Sequence, residues 1–462
     1  MPLERCNPLP FAVVAVTLRR IQDMMKSFTY ILMLAGYLVS YAQEPWTANR
    51  CMQYAIEHNH DVRLQSITLD DCKAERTRAI GAFLPYAEGS VAAQYNFGRA
   101  IDPETNTYTN VSTFYNSYGL NVSIPVFDGF GRYYRLRAAR VGVLLGRSRL
   151  ESQRDATAQK VFEAYVLALY HKGCADIALQ KRDESELLLR QTKVMAEVGR
   201  KGEADVAQMK ATYATDDYEV THQLSLYDNA ILTLKQLMNY PIGDTIEIAG
   251  YADAPTDLPT PDVLDIFSQA RLYNPDIRQA EYDVQSARYA YRASRGALFP
   301  TISLGAGIST SYHKQLEVPA KGFGHQFRNN VGEYAYATLS IPIFNRLNTL
   351  TDIRRQRNNV RRAEEELAYR NSELQRLVQQ AVTELENSRK ETEKMRAKVD
   401  ADSIASRLTI RKYEEGLASP IDVQTQSVTL LQSKAQLLQC RLTLIYRIRM
   451  LDYYKGIPLW TE

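Results

Sequence analysis

Alternation of apolar and polar positions predicts four β-strands, two in each half of the chain. In the first half the apolar positions are Ala87, Val91, Ala93, Tyr95 and Phe97, and then Tyr118, Leu120, Val122, Ile124 and Val126. In the second half they are Ile302, Leu304, Ala306 and Ile308, and then Ala335, Ala337, Leu339, Ile341 and Ile343. Because successive side chains of a strand point to opposite faces, each segment has one apolar and one polar face. Each segment is about ten residues or longer, which is enough to cross a bilayer as a tilted strand.

A four-stranded soluble sheet with one face on a core explains the same alternation. Four strands are too few to close a barrel, since about eight are the practical minimum. A membrane barrel built from these strands would therefore be shared between chains, and three chains would supply twelve strands. The polar loops at 99–113 and 314–330 favour the membrane alternative.

Helical segments make up most of the remaining chain. A helix is predicted before the first strand of each half, at about 47–80 and about 260–295. Residues 346–415 contain neither Gly nor Pro, and residues 131–198 contain no Pro. A continuous helix of about 70 residues would be roughly 105 Å long, and such helices must pack side by side. A 4,3,4,3 spacing after the second break predicts a coiled-coil seam at Leu431, Ala435, Leu438, Leu442 and Ile445.

The two halves repeat one another. "GAFLPYAEGSVAAQY" from Gly81 corresponds to "GALFPTISLGAGIST" from Gly296, at an offset of 215. "SIPVFDGF" from Ser123 corresponds to "SIPIFNRL" from Ser340, at an offset of 217. Gly199 with Asp205-Val206 corresponds to Gly416 with Asp422-Val423 at the same offset. This similarity predicts a duplicated architecture in the order helix, two strands, long helix, break and helix.

These patterns divide the chain into five segments. They are a leader at 1–42, a first repeat at 43–238, an irregular connecting segment at 239–261, a second repeat at 262–455 and a tail at 456–462. The leader carries an apolar run ending in Ser40-Tyr41-Ala42, which indicates an export signal. Residues 1–24 precede a second candidate start and are interpreted as a start-site artefact. The sequence after the leader has no run of about 20 apolar residues, so we expect no transmembrane helix.

Charge and chemistry exclude several classes of function. The formal net charge is +3 and falls to about +1 without residues 1–42, so no basic field for nucleic acid is expected. The chain has no phosphate-binding glycine loop, nucleophile elbow or Cys-x-x-Cys pair. His58 and His60 are two residues apart on a predicted helix and cannot share a metal. We expect no enzyme activity, cofactor or metal site.

Asp205 and Asp422 remain as candidates because they stand at matching places just after the helix breaks. Ser419-Pro420-Ile421-Asp422 has the residue types of a helix N-terminus, with an N-cap, a first-turn Pro and a first-turn acid. Helix initiation alone would therefore explain both aspartates, and a functional role stays open beside it.

The duplicated elements, with Gly-x5-Asp-Val at each break and Ser-Ile-Pro-[VI]-Phe at each strand end, resemble the TolC-type outer-membrane efflux proteins. The resemblance covers residues from about 48 to 451. It implies a mainly α chain with a β-barrel portion. Three chains would form a trimeric twelve-stranded transmembrane β-barrel, four strands per chain, that continues into a long α-helical coiled-coil tunnel through the periplasm. The two Gly-Ala-x-x-Pro segments would mark the change from tunnel helix to barrel strand.

The resemblance also implies site residues at the periplasmic hairpin tips. Gly199 and Gly416 match positions where a periplasmic adaptor docks. Tyr413 and Asp205 match the Tyr and Asp of the family's closed gate, and Asp422 matches an acid that faces the tunnel constriction. Ala418 stands where the gate Arg is expected, so that charge is missing or comes from Arg411 or Lys412. Thr425 replaces a second constriction acid.

The implied function is a passive exit duct of a tripartite efflux or type I secretion system. Its partners would be two further copies of the chain, the adaptor (membrane fusion) protein, an inner-membrane RND or ABC transporter and outer-membrane lipid, with no nucleic acid. The alternative from another class is a structural or adhesive coiled-coil envelope protein with a soluble sheet. A specific porin is a further alternative, which the roughly 100 Å helices disfavour.

Overall fold

The computed structural model describes residues 45–101, 106–110, 112–251, 262–315 and 321–461. The predicted leader and residues 252–261 of the connecting segment lie outside these ranges. The helices of the first half are α1 (Ala48–His58), α2 (His60–Gly81), α3 (Gly131–Glu197) and α4 (Glu203–Met238). Those of the second half are α5 (Val263–Tyr273), α6 (Pro275–Gly296), α7 (Phe323–Asn329), α8 (Asn348–Glu414) and α9 (Pro420–Tyr454). The strands are β1 (Tyr86–Asn96), β2 (Arg99–Ile101), β3 (Tyr108–Asn110), β4 (Thr113–Phe127), β5 (Thr301–Gln315) and β6 (Gly332–Ser340).

The chain divides into two compact units. The small unit contains residues 45–47 and 245–249, which a parallel bridge between Trp46 and Ile248 joins. The large unit contains all helices and strands named above.

The helix before the first strand is two helices in each half, so the prediction of one continuous helix is wrong. The first helix of each pair ends just before Asn59 or Asn274, which lie at matching places in the two repeats. These two residues are the N-caps of α2 and α6. The Asn59 side chain accepts a hydrogen bond from the Asp61 amide, and that of Asn274 accepts from the Asp276 and Ile277 amides. The Asn and Asp that the two repeats share are therefore a capping signal.

The two long helices agree with the prediction. Helices α3 and α8 have 67 residues each, which corresponds to about 100 Å. Each begins after a residue with positive φ, Phe130 at 64° and Leu347 at 67°. These residues are 217 positions apart, so the duplication extends to an uncommon backbone conformation.

The four predicted strands form one antiparallel sheet in the order β1-β4-β5-β6. Strands β1 and β4 are joined within the first half, and β4 pairs with β5 across the two halves. The outer strands β1 and β6 each have one neighbour in the described chain, so each presents a free edge. The loops hold structure that the sequence patterns missed, namely the β2–β3 hairpin and α7. The last strand ends at Ser340, before the predicted Ile341 and Ile343.

The buried side chains lie between the helices. One cluster joins α5, α6, α8 and α9, and includes Ile277, Val378, Leu385 and Leu444. The predicted seam on α9 is only partly buried, because Leu442 and Ile445 are covered while Leu431, Ala435 and Leu438 are half-buried. A second buried line runs through Val423, Leu437, Leu444 and Leu451. Helix α9 packs against both α8 and α3, so it buries two stripes rather than a single seam.

Candidate functional site

Two helix breaks of nearly identical backbone geometry form the candidate site. We call them hairpin 1, residues 181–216 of α3 and α4, and hairpin 2, residues 398–433 of α8 and α9. Gly199 and Gly416 have φ values of +75° and +80°, a conformation in which any side chain is strained. The Arg200 amide donates to the Met195 carbonyl at 2.8 Å, and the Leu417 amide donates to the Lys412 carbonyl at 2.7 Å. Both helices therefore end in the Schellman arrangement, which places glycine where the repeat predicts it.

Asp205 and Asp422 are both the third residue of the helix that follows the break. The Asp422 carboxylate accepts from the Ser419 amide at 2.9 Å and from the Ser419 hydroxyl at 2.7 Å. These bonds lower the pKa of Asp422 below its usual range. The Asp205 carboxylate accepts from the Gly202 amide at 3.1 Å. Both side chains thus stabilise a helix N-terminus, which is the structural role that the sequence left open.

Tyr413 is 1% exposed and joins the two hairpins within the chain. Its hydroxyl lies 2.8 Å from the Thr192 hydroxyl, which itself donates to the Leu188 carbonyl at 2.8 Å. Tyr413 is therefore the donor to Thr192. Burial raises the pKa of the Tyr413 phenol, and the Asp205 charge raises it further.

The structure brings the predicted gate residues to one end of the helices without a hydrogen bond between Tyr413 and Asp205. Tyr413 instead packs with Leu189 and Met209 of hairpin 1 and with Val423 of hairpin 2. Asp205 is close enough to influence the Tyr413 phenol electrostatically. Their role in gating stays a prediction.

Lys201 is a tip residue that the sequence patterns did not single out. Its ammonium nitrogen lies 4.0 Å from the centre of the Tyr413 ring, within the range of a cation–π contact. Lys201 is the position in hairpin 1 that corresponds to Ala418 in hairpin 2, at the offset of 217. Arg411 and Lys412 are exposed. The cation beside Tyr413 therefore comes from the other hairpin, and the repeat offset could have revealed it.

A second feature missed in the sequence is a polar triad between the two helices of hairpin 1. The triad consists of Lys181 and Ser185 on α3 and Asp216 on α4. The Lys181 ammonium lies 2.8 Å from one Asp216 carboxylate oxygen, and the two side chains are 11% and 4% exposed. The Ser185 hydroxyl donates to the Arg182 carbonyl. Within the described chain, the other Asp216 oxygen is buried without a hydrogen bond.

Hairpin 2 has the matching triad with two members exchanged. Lys398 corresponds to Lys181, but Asp402 stands at the position of Ser185 and Ser433 at the position of Asp216. The Lys398 ammonium lies 2.8 Å from the Asp402 carboxylate, to which the Ser433 hydroxyl also donates. These bonds lower the pKa of Asp402. Each hairpin thus holds one Lys, one Asp and one Ser between its helices.

The sheet exposes large apolar side chains along its free edge strands. Val91 in β1 is 71% exposed and Leu339 in β6 is 61% exposed. Exposed apolar surface of this kind indicates contact with lipid or with another protein chain.

None of the helices that the structure describes is apolar enough over a sufficient length to span a bilayer. Among the same residues, no group of three or more His, Cys, Asp or Glu side chains is arranged to hold a metal ion.

The fold is that of outer-membrane channel proteins. The outer membrane protein VceC of Vibrio cholerae matches the structure with a TM-score of 0.75 and 13% sequence identity, over 89% of this chain and 96% of that chain. The family model for outer membrane efflux proteins matches residues 266–447. This match lies within the second repeat, and it supports the predicted resemblance to this family.

Curated relatives extend this similarity over most of the chain. The outer membrane efflux protein BepC of Brucella suis is 24% identical over 348 residues, which are 75% of this chain and 71% of BepC. The probable efflux pump outer membrane protein SepC of Pseudomonas putida is 25% identical over 402 residues, which are 84% of this chain and 78% of SepC. The predicted family, fold class and outer-membrane location are confirmed.

Proposed function

We propose that this protein is the outer-membrane exit duct of a tripartite efflux or type I secretion system. The observation that carries the proposal is the four-stranded sheet with two free edges, joined to helices of about 100 Å. Strand β1 of one copy can pair with β6 of the next, and three copies then close a barrel of twelve strands. Closure of this kind satisfies the backbone groups at both edges, which a lipid environment requires.

The duct is passive, and its partners supply the energy. A periplasmic adaptor docks at the breaks around Gly199 and Gly416, and an RND or ABC transporter in the inner membrane delivers the cargo. Exposed apolar side chains beside the breaks support this contact, since Val198 is 65% exposed and Leu417 is 74% exposed. Apolar side chains at such a tip are suited to packing against a partner.

The hairpin tips are the gate. Tyr413, Asp205 and Asp422 lie at the same ends of the helices, and Lys201 contributes the cation that Ala418 cannot. Opening moves the hairpins between two packings, so contacts such as the one between Tyr413 and Thr192 are the ones to change. Three copies place three Asp422 carboxylates at this end, and such a ring attracts cations.

Fractionation of the native host tests the duct function. We expect a trimer that is recovered only from the outer-membrane fraction in detergent, with its mass measured by light scattering. A monomer or dimer extracted without detergent would overturn the duct and favour the coiled-coil envelope protein.

Conductance in planar bilayers tests the gate. Tyr413→Phe removes the donor to Thr192, and Asp205→Ala removes the neighbouring charge, so we expect both variants to raise single-channel conductance. Tyr446→Phe is the matched control, because its hydroxyl bonds Glu163 at 2.6 Å far from the breaks. Wild-type conductance in the two tip variants would contradict the gate assignment.

Cross-linking tests the adaptor contact. Gly416→Trp places a large side chain at a positive-φ position of the tip, and we expect loss of cross-linking to the adaptor. Gly243 lies away from both breaks, so Gly243→Trp is the control variant. Unchanged cross-linking of Gly416→Trp in a trimeric protein would refute the docking position.

A further inference from the structure

Basic residues are concentrated in the part of α8 that lies next to the sheet. Residues 348–363, which follow β6, include five arginines and one acidic residue, Asp352. The remaining residues of the helix, 364–414, hold ten basic and eleven acidic residues. The charge of this helix is therefore segregated towards the sheet, although the helix as a whole is close to balanced.

Two further helix ends next to the sheet are basic. Residues 131–149 of α3, which follow β4, hold six arginines and no acid. Residues 284–296 of α6, which precede β5, hold three arginines and no acid. We call residues 131–149, 284–296 and 348–363 together the basic collar.

The three segments of the collar are neighbours in the structure. Helix α3 packs against α6, and α6 packs against α8. The backbones of Gly129 and Gly296 approach so closely that a Cβ on Gly129 would lie 2.3 Å from the Gly296 carbonyl oxygen. Arg288 of α6 contacts Glu364 at the edge of the collar on α8 at 2.7 Å. The basic ends of three separate helices therefore lie side by side next to the sheet.

Most of this charge is not neutralised within the chain. Arg354, Arg357 and Arg361 are exposed, and none of them makes an ion pair in the part of the chain that the structure describes. Arg292 and Arg295 of α6 are exposed as well. Of the fourteen arginines, four make ion pairs, namely Arg132 and Arg135 with Asp128, Arg288 with Glu364 and Arg355 with Asp352. The other ten make no ion pair in the described part of the chain and repel each other, so an external anion would stabilise the arrangement.

Aromatic side chains mark the level of the collar relative to the sheet. Phe130, Phe299 and Phe344 lie at the junctions between strands and helices and are 63%, 52% and 77% exposed. Exposed aromatic rings at the end of a membrane strand are typical of the interface with the headgroups. Arg354 is six residues beyond the start of α8, about 9 Å along the axis, so its long side chain can reach this interface.

We propose that the basic collar binds the phosphate groups of anionic phospholipids in the periplasmic leaflet of the outer membrane. The proposal rests on the proposed function, because it needs the sheet to lie in that membrane. Guanidinium groups suit phosphate, since they donate two parallel hydrogen bonds to one anion. Clustered basic residues directly beside a membrane-embedded segment are the pattern that recognises anionic headgroups.

Native mass spectrometry of the purified trimer tests the collar. The probes are dioleoyl phosphatidylglycerol, dioleoyl phosphatidylcholine and inorganic phosphate. The variant is Arg354→Gln with Arg357→Gln and Arg361→Gln, and the control is Lys390→Gln with Lys394→Gln and Arg396→Gln farther along α8. We expect the collar variant to lose at least about tenfold in phosphatidylglycerol binding, and the control variant to bind as wild type does.

The other measurements separate the possible outcomes. Wild-type protein should prefer phosphatidylglycerol to phosphatidylcholine and lose that preference in about 1 M salt. Displacement of the lipid by millimolar inorganic phosphate would show a site for free phosphate and overturn the proposal. Unchanged lipid binding with altered ion selectivity in the collar variant would place these arginines on the channel lumen and also overturn it. Failure of the proposed function would be seen separately, as the absence of an outer-membrane trimer.

Discussion

Hairpins 1 and 2 share a backbone but distribute their polar side chains differently. Both breaks have a glycine at a φ near +75° to +80° and an aspartate at the third position of the next helix. In hairpin 1 the Asp of the triad comes from the opposite helix to its Lys, whereas in hairpin 2 it is one turn away on the same helix. Duplication has therefore preserved the backbone conformation and the composition of the triad, but not the position of the charge.

The difference between the triads is physical as well as positional. Lys181 and Asp216 are almost fully buried, whereas Lys398 is 48% exposed and Asp402 is 19% exposed. Buried charges depend on each other, because removing one leaves the other unpaired in a medium of low polarity. The ion pair across α3 and α4 thus matters more to its hairpin than the ion pair along α8 does.

The largest effect should come from removing Lys181, and removal of Lys398 is the comparison. Lys181→Met leaves Asp216 buried and unpaired, and we expect a loss of about 3–5 kcal/mol in stability. Lys398→Met removes a partly exposed pair and should cost about 1 kcal/mol or less. Thermal unfolding followed by circular dichroism at 222 nm in detergent measures both. Equal shifts of the two midpoints would contradict the distinction between the hairpins.

Exchanging the triad members tests whether the two arrangements are equivalent. Ser185→Asp combined with Asp216→Ser transfers the arrangement of hairpin 2 into hairpin 1. Each single substitution leaves the triad with two acids or none, so we expect each to lower the unfolding midpoint. The double variant restores one Lys, one Asp and one Ser and should unfold above both single variants. A double variant no better than the worse single one would show that the positions are not interchangeable.

The two break glycines should respond alike. Gly199→Ala and Gly416→Ala force a Cβ into the left-handed region, and we expect each to cost about 1 kcal/mol. Space around both glycines is open, so strain rather than a clash causes the loss. Gly250→Ala, at a position without positive φ, is the control, and the midpoint of unfolding measures all three. A large difference between the two break variants would show that their surroundings, rather than φ, decide the cost.

The smallest effect should come from the N-caps. Gly202 and Ser419 occupy matching positions, and only Ser419 has a side chain that caps its helix. Ser419→Gly should destabilise the protein by a few tenths of a kcal/mol, and Gly202→Ser should stabilise it by a similar amount. Hydrogen exchange of the first-turn amides of α4 and α9 measures the local change. Shifts of the same sign would contradict a shared capping geometry.

Much of the fold could be predicted from the sequence because it depends on local pattern. Strand alternation, the absence of Gly and Pro from 346–415 and the Gly-x5-Asp-Val repeats all concern neighbours along the chain. The breaks at Asn59 and Asn274 also have a local signal, because an Asn-x-Asp segment occurs at both places and its Asn caps the helix that follows.

The sequence by itself therefore determined where the helices, strands and breaks lie, since backbone propensity and side-chain period act within a few residues. Only the tertiary structure decided that Tyr413 donates to Thr192, that Lys201 lies over the Tyr413 ring, and that Lys181 pairs with Asp216. These contacts join residues 35 to 221 positions apart, and their partners depend on how the helices pack against each other. No local pattern encodes that packing, because it results from the burial of many side chains at once.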